Sequence, residues 1–96
     1  MRPVQLADLE IAARVVAAQP APARRAMVKL LCDQADMADI YRLGCGLAHP
    51  KFGTGTLMSA AMKHPQPVKP ATSEPAFLTS LALLCAHLGG ITPVDM

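Results

Sequence analysis

Tryptophan is absent, and the chain carries one Tyr and two Phe in 96 residues. Platforms for stacking single-stranded nucleic acid are therefore lacking. Charge is sparse too, at 17% of residues, below the roughly 25% of an ordinary soluble domain. With 52% apolar residues the chain has enough surface to bury, which excludes intrinsic disorder. Cys32, Cys45 and Cys85 are odd in number and show no CxxC spacing. That pattern excludes a disulfide framework and suits free thiols in a reducing cytoplasm. Asp8, Glu10 and Arg14 fall where a signal peptide needs its apolar core.

No apolar run approaches the ~20 residues of a membrane span. The best candidate, 75–94, is interrupted by Thr79, Ser80, Gly89 and Gly90, so no membrane attachment is expected. Acids are missing between Asp39 and Glu74, a stretch that holds Arg42, His49, Lys51, Lys63, His64 and Lys69. The middle of the chain is locally basic and would attract an anion. The net charge of +2 is too small to argue for nucleic acid. A solvated basic surface is the simpler reading.

What is present reads as one all-α domain over residues 1–96, a length that allows no second domain. Apolar spacing predicts helices at about 8–18, 22–43, 56–63 and 75–88, and no strand. Asp8 suits the first N-cap, and Leu9, Ala12, Ala13 and Val16 follow one buried face, with Ile11 and Val15 as a narrower stripe. The second helix places Met27, Leu30, Leu31, Gln34, Ala38 and Tyr41 on one face, with Ala35 and Met37 beside it. Asp33, Asp36 and Asp39 form its polar side. Arg24, Arg25 and Lys29 near its start oppose the helix dipole, which hints at an external use. Gly44 or Gly46 is expected to end it.

A loop with four glycines, 44–56, precedes the short third helix, with Thr54 or Thr56 as its cap. Four prolines within 64–75 predict an extended connector. The fourth helix, capped by Thr72 or Ser73 and stopped by Gly89–Gly90, is apolar nearly all round. Phe77, Leu78, Leu81, Leu84, Cys85 and Leu88 form its main face, and Cys85 reads as a small core residue. Such a helix must be covered on most sides. Self-association through Phe77, Leu78, Leu81, Leu84 and Leu88 in a two-fold contact is the expected solution, with a helix buried inside a monomer as the alternative.

Chemistry-bearing residues form no complete constellation. Cys45, His49, Cys85 and His87 fail as a zinc set, because residues two apart on a helix point in opposed directions and Cys45 with His49 supplies only two ligands. Cys45 beside His49 lacks an orienting third group for nucleophilic catalysis. The three aspartates lack anything to complete a metal or acid–base site. The best candidate is the loop leading into the third helix. There His49, Lys51, Gly53, Thr54, Gly55 and Thr56 would surround a small phosphate or carboxylate. The Walker pattern and the third glycine of a dinucleotide fingerprint are both missing. A tight turn that aims the short helix competes with this reading. A helix-turn-helix is excluded by the length of the loop.

The string His49-Pro-Lys-Phe-Gly-Thr-Gly-Thr-Leu-Met58, between a long and a short helix, resembles a group of small uncharacterised alphaproteobacterial proteins. The resemblance covers most of the chain from Asp8-Leu9-Glu10 onward. It implies a bacterial cytoplasmic setting and assigns no catalytic residue. The sequence thus leads to a non-enzymatic helical interaction or adaptor module without cofactor or metal, dimeric and open to a protein partner. Capture of a small anion at 49–56 is the second expectation.

Overall fold

A computed structural model describes residues 1–67 and 73–90. Four α-helices run in the order α1 Leu6–Ala17, α2 Arg24–Cys45, α3 Leu57–Ala61 and α4 Pro75–Leu88, with a 3-10 turn at Ala21–Ala23 leading into α2. No strand occurs among the described residues; a single antiparallel bridge joins His49 and Gly53. The all-α architecture follows from the helical spacing of the apolar residues.

Helix α1 starts two residues before Asp8. Gln5 is its N-cap and Asp8 is the third helical residue, whose side chain returns to the Gln5 amide in a capping box. Val15, expected on a minor stripe, is 1% exposed and belongs to the main core with Ala12, Ala13 and Val16. Pro22 lies in the 3-10 turn and α2 follows it. Gly46, not Gly44, ends α2 in the left-handed conformation at φ 75°. Thr56 caps α3 by accepting from the Ser59 amide. At α4 the cap position falls to Glu74, with no side-chain bond to the helix, and Pro75 opens the first turn.

The core joins Ala12, Val15 and Val16 of α1 to Met27, Val28, Leu31 and Cys32 of α2. Leu57 and Ala61 of α3 and Leu83 and Leu84 of α4 complete it. Helix α1 packs most extensively against α4, and α3 wedges between α1 and α2. Two faces differ from expectation. On α2 the buried face is Met27, Val28, Leu31, Cys32, Ala35 and Ala38, whereas Leu30, Met37 and Tyr41 are exposed. On α4, Phe77, Ser80, Leu83 and Leu84 are buried, Leu78 is 48% exposed and Cys85 lies outside. Buried Ser80 donates to the Ala76 carbonyl within its own helix, which satisfies the hydroxyl that an apolar-face count would have turned outward.

The described start of the connector is pinned rather than free. Gln66 donates to the carbonyls of Ala61 and His64, and Arg14 donates to the carbonyl of Pro67. The centre of the expected connector, 68–72, lies outside the described residues, as does Thr72 as a cap. Burial in one chain separates two leucines of α4. Leu84→Ala should cost ~2–5 kcal/mol in urea unfolding, while Leu78→Ala should stay within about 0.5 kcal/mol under dilute conditions.

Candidate functional site

The glycine loop is built as a clasp. From α2 the chain turns at Gly46, and His49 and Gly53 exchange backbone hydrogen bonds of 2.7 and 3.1 Å. The His49 imidazole fills that small turn, its Nδ1 accepting from the amides of Lys51 and Phe52 at 3.0 and 3.2 Å. Its ring stacks on Phe52 with centroids 4.7 Å apart and meets the edge of Tyr41 at 5.0 Å. The loop is thereby docked beside the end of α2.

Gly53 and Gly55 are buried and have φ of 89° and 93°. A Cβ on Gly53 would lie 2.7 Å from Ser59 Cβ, and one on Gly55 would lie 2.8 Å from the Cα of Asp39. Both glycines are therefore needed for close approach as well as for backbone angle. Further hydrogen bonds close the clasp. The Thr54 amide donates to Ser59 Oγ, the Ser59 amide to Thr56 Oγ1, and the Arg2 amide to the Gly55 carbonyl. The Met58 amide donates to Asp8 Oδ1 at 2.8 Å.

These bonds bear directly on anion capture. The structure brings His49, Lys51, Gly53, Thr54, Gly55 and Thr56 into one loop, but the amides of Lys51, Phe52, Gly53, Thr54, Met58 and Ser59 are engaged within the chain. The first turn of α3 faces a buried carboxylate, Asp8, which is 3% exposed. A second anion there would meet like charge. Lys51 remains exposed.

The acidic side of α2 is neutralised residue by residue. Asp33 pairs with Lys29 at 2.6 Å, Asp36 with the Met1 ammonium at 2.7 Å, and Asp39 with Arg42 at 2.8 Å and Met1 at 3.4 Å. The Met1 ammonium is accordingly held above its ordinary pKa, chiefly by the Asp36 hydrogen bond. The Arg42 hydrogen bond does most to keep the Asp39 carboxyl below its usual value. Among the described residues no group of three His, Cys, Asp or Glu is placed to hold a metal.

The cations at the start of α2 also find uses inside the chain. Arg24 donates to the carbonyls of Gln19 and Ala17, closing the C-terminal end of α1, where a cation complements the dipole. It lines an open cleft of about 330 Å³ with Ala21, Pro22, Arg25, Thr79 and Leu83.

The feature that sequence reasoning missed is the outer face of α2. Ile40 and Leu43 are each 71% exposed and Met37 53%, with Leu30 and Tyr41 somewhat less so, and Leu47 just past the helix is 65% exposed. Apolar spacing puts Leu30, Met37 and Tyr41 on the buried face of α2, whereas packing buries Val28 and Cys32 in their place.

Cys45, at the last turn of α2, and Cys85 are exposed, while Cys32 is buried. The neighbouring Cys45 side chain is the first cause of a raised Tyr41 phenol pKa. Burial, followed by the charges of Asp36 and Asp33, pushes the Cys32 thiol up to about 11.

Fold and site together define a small all-α domain with a docked glycine clasp and an exposed apolar helix face. The chain belongs to the family described as a domain of unknown function, DUF7742, which matches residues 2–88. No curated protein and no solved structure matches it. Among the described residues no helix is long and apolar enough to cross a membrane.

Two outcomes check this geometry. Gly55→Ala should destabilise the fold by about 2 kcal/mol or more, since a left-handed backbone penalty adds to the overlap with Asp39. Thiol titration at neutral pH should modify Cys45 and Cys85 promptly and Cys32 only on unfolding, because burial suppresses its thiolate.

Proposed function

We propose that this chain is a non-enzymatic helical interaction module that self-associates through exposed apolar helix surface. The observation that carries this reading is the outer face of α2. Leu30, Met37, Ile40, Tyr41 and Leu43 of α2, with Leu47 just past its end, are each 40% or more exposed, and a concentration of exposed apolar side chains of this kind marks an interaction surface. Such area is costly to leave in water, at about 25 cal/mol per Å². Its occupant is another protein surface, in a bacterial cytoplasmic setting of the kind that the sequence resemblance implies.

The sequence pointed to α4 as the self-associating element. Phe77 and Leu84 are taken up by this chain's own core, and Leu81 and Leu88 are half-buried. Leu78 is then the main contribution that α4 has left to give, so α2 supports the reading more strongly. Binding of a small phosphate- or carboxylate-bearing ligand at 49–56 is the weaker alternative. Exposed Lys51 favours it, and the engaged amides and Asp8 weigh against it.

Sedimentation velocity over a concentration series is the test. The expected result is a shift from monomer to dimer that Ile40→Lys moves to at least ten-fold higher concentration, with the monomer's thermal midpoint unchanged within a few degrees. A loss at Leu78→Lys instead of Ile40→Lys would transfer the interface to α4. A single monomeric species at every concentration would end the self-association reading.

A further inference from the structure

The three histidines of the chain differ in what they require of a ring nitrogen. His64 meets Gln34 Oε1 through Nε2 at 3.0 Å, and that oxygen accepts from a ring N–H of the neutral and of the charged imidazole alike. His87 is exposed in the last turn of α4, where a positive charge suits the helix dipole. His49 is different. Its Nδ1 accepts from the amides of Lys51 and Phe52 at 3.0 and 3.2 Å, which assigns the proton of a neutral ring to Nε2. In an imidazolium both ring nitrogens are donors. An N–H at Nδ1 would confront two other N–H groups.

Nothing around the ring offers its charged form a substitute. From α2 it meets the edge of Tyr41 at 5.0 Å, with Cys45 beside that phenol. From the loop it stacks on Phe52 at 4.7 Å, a contact open to either charge state. The nearest charge along the loop is another cation, Lys51. No acid stands between Asp39 and Glu74 in the sequence, and Asp39 is taken by Arg42 and the Met1 ammonium. The ring is only half-buried, so a proton from solvent can reach it.

We propose that His49 is a proton-operated latch: the neutral imidazole holds residues 49–53 closed against the end of α2, and the imidazolium releases them. The latch works within one chain and is independent of self-association. It is closed above the range in which histidine titrates, about pH 5 to 8, and opens as pH falls through that range.

Opening is confined to one end of the loop. The amides of Lys51 and Phe52 lose their acceptor, and the His49–Gly53 backbone pair loses the side chain that fills its turn. Tyr41 loses the ring at its edge, so the proton acts at one end of the exposed apolar face of α2. The α3 end stays shut. There the Thr54 amide donates to Ser59 Oγ and the Ser59 amide to Thr56 Oγ1, hydroxyls that carry no charge in this range.

Hydrogen exchange of the full chain, followed by NMR at one dilute concentration, tests the latch. Corrected for intrinsic exchange, protection of the Lys51 and Phe52 amides should fall at least ten-fold between about pH 7.5 and pH 5.5. Protection of the Ser59 amide should move less than two-fold. The nitrogen shifts of His49 at the higher pH should report a bare Nδ1. His49→Asn sets an oxygen where Nδ1 stands and accepts from the same two amides at any pH, so it should keep the protection and abolish the response. His49→Gln sets its oxygen at the Nε2 end and should lose the protection at both pH values. Four results would overturn the latch: Lys51 and Phe52 amides unprotected at the higher pH, protection that does not change with pH, a fall that persists in His49→Asn, or a neutral ring protonated at Nδ1.

Discussion

Asp8 holds the two ends of this fold together. One oxygen of its buried carboxylate accepts from the Gln5 amide, which starts α1, and the other accepts from the Met58 amide, which starts α3. Two helix N-termini thus share one counter-charge, through residues Asp8 and Met58 that stand 50 apart in sequence. Each has free amides and a partial positive charge to satisfy, and one short acid meets both needs. The price is a carboxylate nearly out of water, and its hydrogen bonds offset that cost. With α3 so anchored, Leu57 and Ala61 enter the core, and the glycine clasp has a fixed end to close on.

From that constraint the loop acquires a structural meaning. Its glycines let backbone pass against Ser59 and Asp39, its histidine fills a turn, and its threonine caps a five-residue helix. A glycine-rich stretch before a helix is often read as a phosphate cradle because its amides are free. Here the amides of Lys51, Phe52, Gly53, Thr54, Met58 and Ser59 donate within the chain, and those bonds dock the loop.

The same economy leaves α2 two-faced. One side joins a core built largely of Ala and Val with a few larger residues, and the other carries Leu30, Met37, Ile40 and Tyr41 to the surface. A small domain buries a limited fraction of its chain. Helices α1 and α2 bury Phe77, Leu83 and Leu84 of α4, and the larger apolar surplus appears on α2 and not on the helix whose composition is most apolar.

Helix number, order and approximate bounds were legible in the residues, because apolar spacing, Gly46, Thr56 and Pro75 act over a turn or two of backbone. The cap of α3 was narrowed to Thr54 or Thr56, and the loop was legible, for the same reason. Partners distant in sequence were not: the Met1 ammonium on Asp36, the Asp8 carboxylate on Met58, and Arg24 on the end of α1. Nor was the burial of Val28 and Cys32 on α2 in place of Leu30, Met37 and Tyr41, or the exposure of Cys85 and the burial of Ser80. Local chemistry determines where helices begin and end, since their hydrogen bonds close within four residues. Which face each helix buries depends on neighbours brought together by the whole chain, and only the tertiary structure decided that.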